Sequence, residues 1–296
     1  AVLNGDDDML ASVGQVKGKK PVTYGISGTP EEKTGHGQNG AGPEECAIPE
    51  ECAGPEECAG ADASTAAGTP DVYARDVRMK GFLGSEAVFC HGGKAFPVRI
   101  PLPGEHMVYN ALAAAATGFL LGLSEEEIAA GIAEVRSVSG RSRILRAESR
   151  IVIDDCYNAN PVSVEAAVDL LMQDEAGSAQ DPAKSRRIAV LGDMLELGEQ
   201  ELQLHERVGR YCVKKGVDCL ICAGPLSEAM YRGALAEAEE EGRKPSGGIR
   251  YFPDREALLA GIGALVGEQD TILVKASHSM GFEAVVALLA GKETDA

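Results

Sequence analysis

The chain has 296 residues, of which 44% are apolar and 4% aromatic with no Trp, and its formal net charge is −18. That length suits two domains of about 100–200 residues with cores of Ala, Val, Leu and Ile. The acidic balance argues against nucleic acid, which needs clustered Lys and Arg; no apolar run reaches the ~20 residues of a membrane-crossing helix, so no membrane insertion is expected.

In chain order, Ala1-Val2-Leu3-Asn4-Gly5-Asp6 reads as a strand entering a turn, and suggests a cut through a larger fold. Residues 28 to 68 differ in composition from their surroundings. They repeat Pro43-Glu44-Glu45-Cys46-Ala47 at Pro49 and again at Pro55, too polar to bury a core, and are read as a mobile acidic insertion between two strands. Those strands are Pro21 to Ser27 and Val72 to Met79. Two more follow at Glu86 to Cys90 and Ala95 to Leu102, and antiparallel pairing is expected from β-branched content and short turns. Helices are expected at His106 to Leu121 and at Ser124 to Val135, where Ser124 and Glu127 have capping-box spacing.

After Gly140 the pattern becomes β/α alternation. Strands are expected at Ile151 to Asp154, Arg187 to Leu191, Cys219 to Ala223, Ile249 to Phe252 and Thr271 to Lys275. Helices fall near Ser163 to Leu171, Glu199 to Lys215, Pro225 to Glu240, Asp254 to Leu265 and Met280 to Ala290. The expected fold class is α/β: a doubly wound, mostly parallel, Rossmann-like sheet over residues 141–296, preceded at 1–140 by a smaller α/β part with antiparallel strands. Cys219 and Cys222 have redox or zinc spacing, but lie in an apolar run and are expected to be core thiols. Reduced thiols point to a cytoplasmic location.

Three strand ends carry the polar residues. The first runs into Asp154-Asp155-Cys156-Tyr157-Asn158-Ala159-Asn160-Pro161, the second into Gly192-Asp193-Met194-Leu195-Glu196, and the last into Lys275-Ala276-Ser277-His278. In open α/β sheets ligands bind at the carboxyl ends of strands, and helix starts there offer free N–H groups to anions. Asp193 is expected to face the crevice. The last end is suited to a carboxylate or a transferring phosphoryl group. In the first half, His106 and Asn110 lie one helical turn apart, and Arg141 follows Gly140 at the domain boundary. Each feature has an ordinary structural alternative as a cap, a turn or a surface charge.

Taken together, Gly104-x-His106-x-x-x-Asn110-x-x-Ala113-Ala114, Gly140-Arg141, the Asp154–Pro161 stretch, Leu191-Gly192-Asp193-Met194-x-Glu196-Leu197-Gly198 and Val274-Lys275-x-Ser277 closely resemble the Mur ligases. Tyr157-Asn158-Ala159-Asn160-Pro161 and Leu191–Gly198 resemble the members adding D-alanyl-D-alanine to UDP-N-acetylmuramoyl-tripeptide. The resemblance implies ATP and Mg²⁺ as cofactors, and amide formation through an acyl phosphate. It implies nucleotide contacts by His106, Asn110, Arg141, Asp155, Tyr157, Asn158 and Asn160. Asp193 and Glu196 would bind the incoming dipeptide, and Lys275, Ser277 and His278 would act in catalysis. Two departures stand out. Met107 replaces the Asn usual after the motif His, and no Gly-Lys-Thr phosphate loop occurs in the 296 residues. The chain is therefore expected to be the C-terminal portion of such a ligase, inactive without its N-terminal segment, which would also carry the metal ligands. Alternatives are another amide ligase of the Mur or folylpolyglutamate-synthase type, or a non-catalytic nucleotide- or peptide-binding module.

Overall fold

The computed structural model describes residues 1–26, 70–147, 150–173, 185–242 and 244–291; the Pro-Glu-Glu-Cys repeats lie outside the described residues. The chain forms two compact units. One comprises Ala1–Lys80, Gly84–Pro101 and Glu105–Val135; the other comprises Gly81–Leu83, Leu102–Gly104 and Arg136–Ala296.

The first unit holds a five-stranded sheet of β1 (Val2–Asn4), β2 (Val22–Ile26), β3 (Val72–Met79), β4 (Ser85–His91) and β5 (Lys94–Ile100), in that spatial order. The pairs β3–β4 and β4–β5 are antiparallel, the second closed by the tight turn His91-Gly92-Gly93-Lys94. The pairs β1–β2 and β2–β3 are parallel. This corrects the expectation of antiparallel pairing across the acidic insertion. Strand composition does not encode direction, and parallel neighbours need a crossover connection rather than a hairpin. Helix α1 (His106–Leu120) buries Val108, Ala111, Leu112, Ala115 and Ala116, the 3–4 spacing of one helical face. Helix α2 (Glu125–Ala133) begins with the expected capping box between Ser124 and Glu127.

The second unit holds β6 (Arg143–Arg146), β7 (Ile151–Asp154), β8 (Arg187–Gly192), β9 (Cys219–Ala223), β10 (Gly248–Phe252) and β11 (Thr271–Lys275), with spatial order β10-β9-β8-β11-β7-β6. All neighbours are parallel except the edge pair β6–β7. The helices are α3 (Pro161–Met172), α4 (Glu201–Lys215), α5 (Ser227–Glu240), α6 (Arg255–Gly261) and α7 (Glu283–Ala290).

Alternate residues of each inner strand feed two separate cores, because strand side chains alternate faces. Ile153, Ala189, Leu191, Leu220, Cys222 and Leu273 pack with residues of α3, α4 and α5. Val152, Ile188, Val190, Cys219, Ile221, Ile272 and Val274 pack with residues of α6 and α7. The sheet is therefore covered on both faces, which is why its inner strands are continuous apolar runs. Cys219 and Cys222 fall on opposite faces, so they cannot act as a dithiol pair. Helices α4 and α5 cross closely through Gly209 and Gly233: a Cβ on Gly209 would overlap the Met230 carbonyl, and one on Gly233 the Glu206 carbonyl. Among the described residues, no helix is long and apolar enough to cross a membrane.

Candidate functional site at the switch point of the second sheet

Strand order fixes where the polar ends meet. From β8 the chain winds outward through β9 to β10, then returns to insert β11 between β8 and β7. The order reverses there, and at such a point the loops diverge and leave a crevice outside the carboxyl ends of the strands. The adjacent strands β7, β11 and β8 end at Asp154, Lys275 and Gly192, the three ends whose polarity stood out in the sequence. They are in register, with Val274 opposite both Asp154 and Val190.

Lys275 ties two of these ends together. Its ammonium is buried and donates to Asp155 Oδ2 at 2.6 Å and to the Asn158 carbonyl at 2.8 Å. The other carboxylate oxygen, Asp155 Oδ1, accepts from Ser142 N at 2.8 Å. Withdrawing the Lys275 ammonium and much of the Asp155 carboxylate from water is tolerable because each is paired and hydrogen-bonded. Lys275 and Asp155 are thus spent on each other, and their geometry is that of positioning residues for the Tyr157–Asn160 turn.

The neighbouring carboxylate, Asp154, is also buried. It accepts from Gly140 N at 2.8 Å and from the Cys156 thiol at 3.0 Å. Burial, and then this bond to Asp154, drive the Cys156 thiol well above its ordinary pKa, so it stays protonated. Gly140 O in turn accepts from Tyr157 N at 3.0 Å. This lattice fixes Arg141, whose guanidinium carbon lies 4.1 Å from the centre of the Tyr157 ring. His278 lies on the same ring, with centroids 5.4 Å apart. Arg141, Tyr157 and His278 are all exposed, so a cation–π pair and an imidazole tilted 38° to the Tyr157 ring cluster at the rim. Asn158 is exposed beside it. Asn160 is the N-cap of α3, its Oδ1 accepting from Ser163 N at 2.9 Å, with Pro161 in the first turn.

Asp193 requires a correction. It does not face an open crevice: it is 2% exposed, and its Oδ1 accepts from Ser227 N at 2.7 Å and Ser227 Oγ at 2.6 Å, at the start of α5. An acidic side chain at a helix start satisfies an orphan N–H and the helix dipole together, which accounts for the burial. Ser277 is likewise buried and accepts from Leu195 N at 2.8 Å. Glu196 is exposed, with a left-handed backbone at φ 63°. Of the residues expected in the second unit, Arg141, Tyr157, Asn158, Asn160, Glu196 and His278 present exposed side chains, while Asp155, Asp193, Lys275 and Ser277 brace the loops beneath them.

In the first unit, His106 opens α1 and Asn110 lies one turn on, exposed, with its amide nitrogen 3.4 Å from Met107 Sδ. Tyr109 donates to Asp6 Oδ2 at 3.2 Å, and the same oxygen accepts from Ile26 N at 2.7 Å. Burial, and then Asp6, push the Tyr109 phenol upward.

Sequence reasoning missed Ser142, Ser227 and His205. Ser227 lies far along the chain from the carboxylate it serves. His205, wholly buried on α4, accepts from Met194 N at 2.9 Å; a His within the apolar stripe Val208, Cys212 was the available signal.

Comparison with known proteins bears on the fold and the family. Residues 140–278 match the family described as "Mur ligase, glutamate ligase domain". The UDP-N-acetylmuramoyl-tripeptide–D-alanyl-D-alanine ligase of Mycobacterium leprae is 38% identical over 209 residues, covering 67% of this chain and 39% of the relative. That of Escherichia coli is 37% identical over 195 residues, covering 65% and 38%. A crystal structure of MurF from Acinetobacter baumannii superposes with a TM-score of 0.64 at 27% identity, over 75% of this chain and 45% of that one. The chain spans about two fifths of the length of the curated relatives it matches. Motif, fold and relatives converge, and the chain belongs to the Mur ligase family.

Proposed function

We propose that the chain is the C-terminal portion, with 1–140 from the central ATP-binding domain and 141–296 the C-terminal domain, of a cytoplasmic ligase. That enzyme joins D-alanyl-D-alanine to UDP-N-acetylmuramoyl-tripeptide in peptidoglycan synthesis, at the expense of ATP. The observation that carries this is the adjacency of the β7, β11 and β8 ends at the switch point, bearing the two motifs that resemble the dipeptide-adding members. The relatives' names support the substrates, and the shared coverage supports an N-terminal segment supplying the phosphate loop.

In this reading ATP activates the tripeptide carboxylate as an acyl phosphate, and the dipeptide amine displaces phosphate. The second unit positions and excludes water rather than forming covalent bonds. The Arg141–Tyr157 pair fits a nucleotide: an exposed ring for stacking and a guanidinium for phosphate or ribose oxygens, with Asn158 at its edge. Within the first unit, His106 and Asn110 are read as nucleotide contacts on the strength of the family resemblance alone. Asn160 serves by holding the helix start. On the β8 and β11 side, Glu196 and His278 face solvent where the dipeptide would enter, braced by Asp193, Ser277 and Lys275. Among the described residues, no group of three His, Cys, Asp or Glu side chains could hold a metal ion, and the family resemblance assigns the Mg²⁺ ligands to the N-terminal segment.

The test is a substrate panel on the full-length enzyme, with amide product and ADP followed together. Equal amounts of both, dependent on D-alanyl-D-alanine, support the proposal. A preference for a single amino acid or for a folate would move the chain to another branch. ATP turnover without either amine or product would remove the ligase reading.

A further inference from the structure

The loop after β8 is held by side chains from three other elements. Ser227, at the start of α5, donates to Asp193; Ser277, after β11, accepts from Leu195 N; and His205, on α4, accepts from Met194 N. The His205 bonds settle its protonation state. Its Nδ1 lies 2.7 Å from the Glu201 carbonyl, which only accepts, while Nε2 lies 2.9 Å from a backbone N–H, which only donates. The ring must therefore be neutral, with its proton on Nδ1. It is wholly buried, so no water can substitute for either bond.

Two consecutive amides, Met194 and Leu195, are thus pinned by side chains from two different elements, and the next residue is Glu196 at φ 63°. A left-handed non-glycine is strained and persists where its surroundings over-determine it. We infer that His205 is a positioning residue: by holding the Met194 amide as an acceptor only, the neutral imidazole keeps Glu196 in this conformation and its carboxylate presented at the rim, suited to the ammonium end of the incoming amino compound. The assignment of that ligand class rests on the ligase reading; the hydrogen-bond relay does not.

Three measurements separate them. In the ¹⁵N-labelled chain, a coupling across the hydrogen bond between Met194 N and His205 Nε2, with the ring as the Nδ1–H tautomer, is expected near neutral pH. A protonated Nε2, or no coupling, overturns the inference without any variant. His205→Leu should raise hydrogen exchange at Met194 by about tenfold or more and leave Ser227 N unchanged, with His205→Gln, which can still accept, restoring protection. Equal loss at Ser227 overturns it. In the full-length enzyme, His205→Leu should raise KM for D-alanyl-D-alanine about tenfold with KM for ATP held within about twofold, again with rescue by Gln. A fall in kcat alone, or equal rises in both KM values, overturns the positioning role. Wild-type enzyme inert toward the dipeptide would refute the ligase reading, and the tautomer and exchange results would then decide the His205 relay by themselves.

Discussion

Lys275 Nζ lies 2.6 Å from Asp155 Oδ2 at the ends of β11 and β7, the ammonium buried and the carboxylate partly buried. Two of the residues whose chemistry drew most notice in the sequence are thereby committed to each other. Removing one partner leaves an uncompensated charge in a largely desolvated site. Lys275→Met is expected to destabilise the chain by about 3–5 kcal/mol, with Asp155→Leu restoring part of that loss in the double variant. Urea denaturation checks it; a loss below about 1 kcal/mol, the worth of an exposed pair, would mean that the site is wet.

Asn158 and Asn160 separate stability from ligand binding. Asn160 caps α3, so Asn160→Ala should cost about 1 kcal/mol while Asn160→Ser costs little. Asn158 holds Lys275 through its main-chain carbonyl, so Asn158→Ala leaves that bond intact. In the full-length enzyme it should raise KM for ATP about tenfold without lowering thermal stability. Unchanged steady-state constants would take Asn158 out of the nucleotide site.

Gly224 follows β9 with φ +121°, and a Cβ there would overlap the buried Asp193 carboxylate. Gly224→Ala combines strain with displacement of the Ser227 cap, and should cost about 2–3 kcal/mol. For a unit of this size that is a fall of several degrees in Tm, about 2–4 °C per kcal/mol. A neutral result would show that the β8 and β9 loops move independently.

Burial raises the thiols of Cys156, Cys212, Cys219 and Cys222, with Cys212 pushed up to about 12. Each folded-state value lies above the unfolded one near 8.5, so the folded chain keeps protons that the unfolded chain releases. The stabilisation is complete below about pH 8.5 and is lost as pH rises toward the folded values. Stability against urea should therefore decline above about pH 9, and peptide mapping after alkylation at pH 8 should find these four and Cys90 unmodified. Modification of Cys212 at that pH in folded protein would contradict its burial.

Much of this architecture was legible in the residues, for reasons that differ from element to element. Ile151–Asp154, Cys219–Ala223 and Thr271–Lys275 were found to the residue, because strands buried on both faces are uninterrupted apolar runs bounded by polar ends. The edge strand Arg143–Arg146 was missed: four residues flanked by charge carry no periodic signal, and edge strands are kept short and charged. The direction of β2 against β3 was misjudged, since pairing direction is set by a connection whose composition says nothing of geometry. At the site, the motif residues were visible as polar strand ends. What could not be read was which of them point outward. Asp193 and Lys275 look reactive as letters, yet their depth is fixed by Ser227 and Asn158, partners supplied by the tertiary fold.

The most direct test of the central claim is a crystal structure of the full-length enzyme with a non-hydrolysable ATP analogue, UDP-N-acetylmuramoyl-tripeptide and D-alanyl-D-alanine. The nucleotide is expected within reach of Arg141, Tyr157 or Asn158, and the dipeptide against the Glu196 and His278 side of the same rim. Ligands that touch none of the β7, β8 and β11 loops would contradict it.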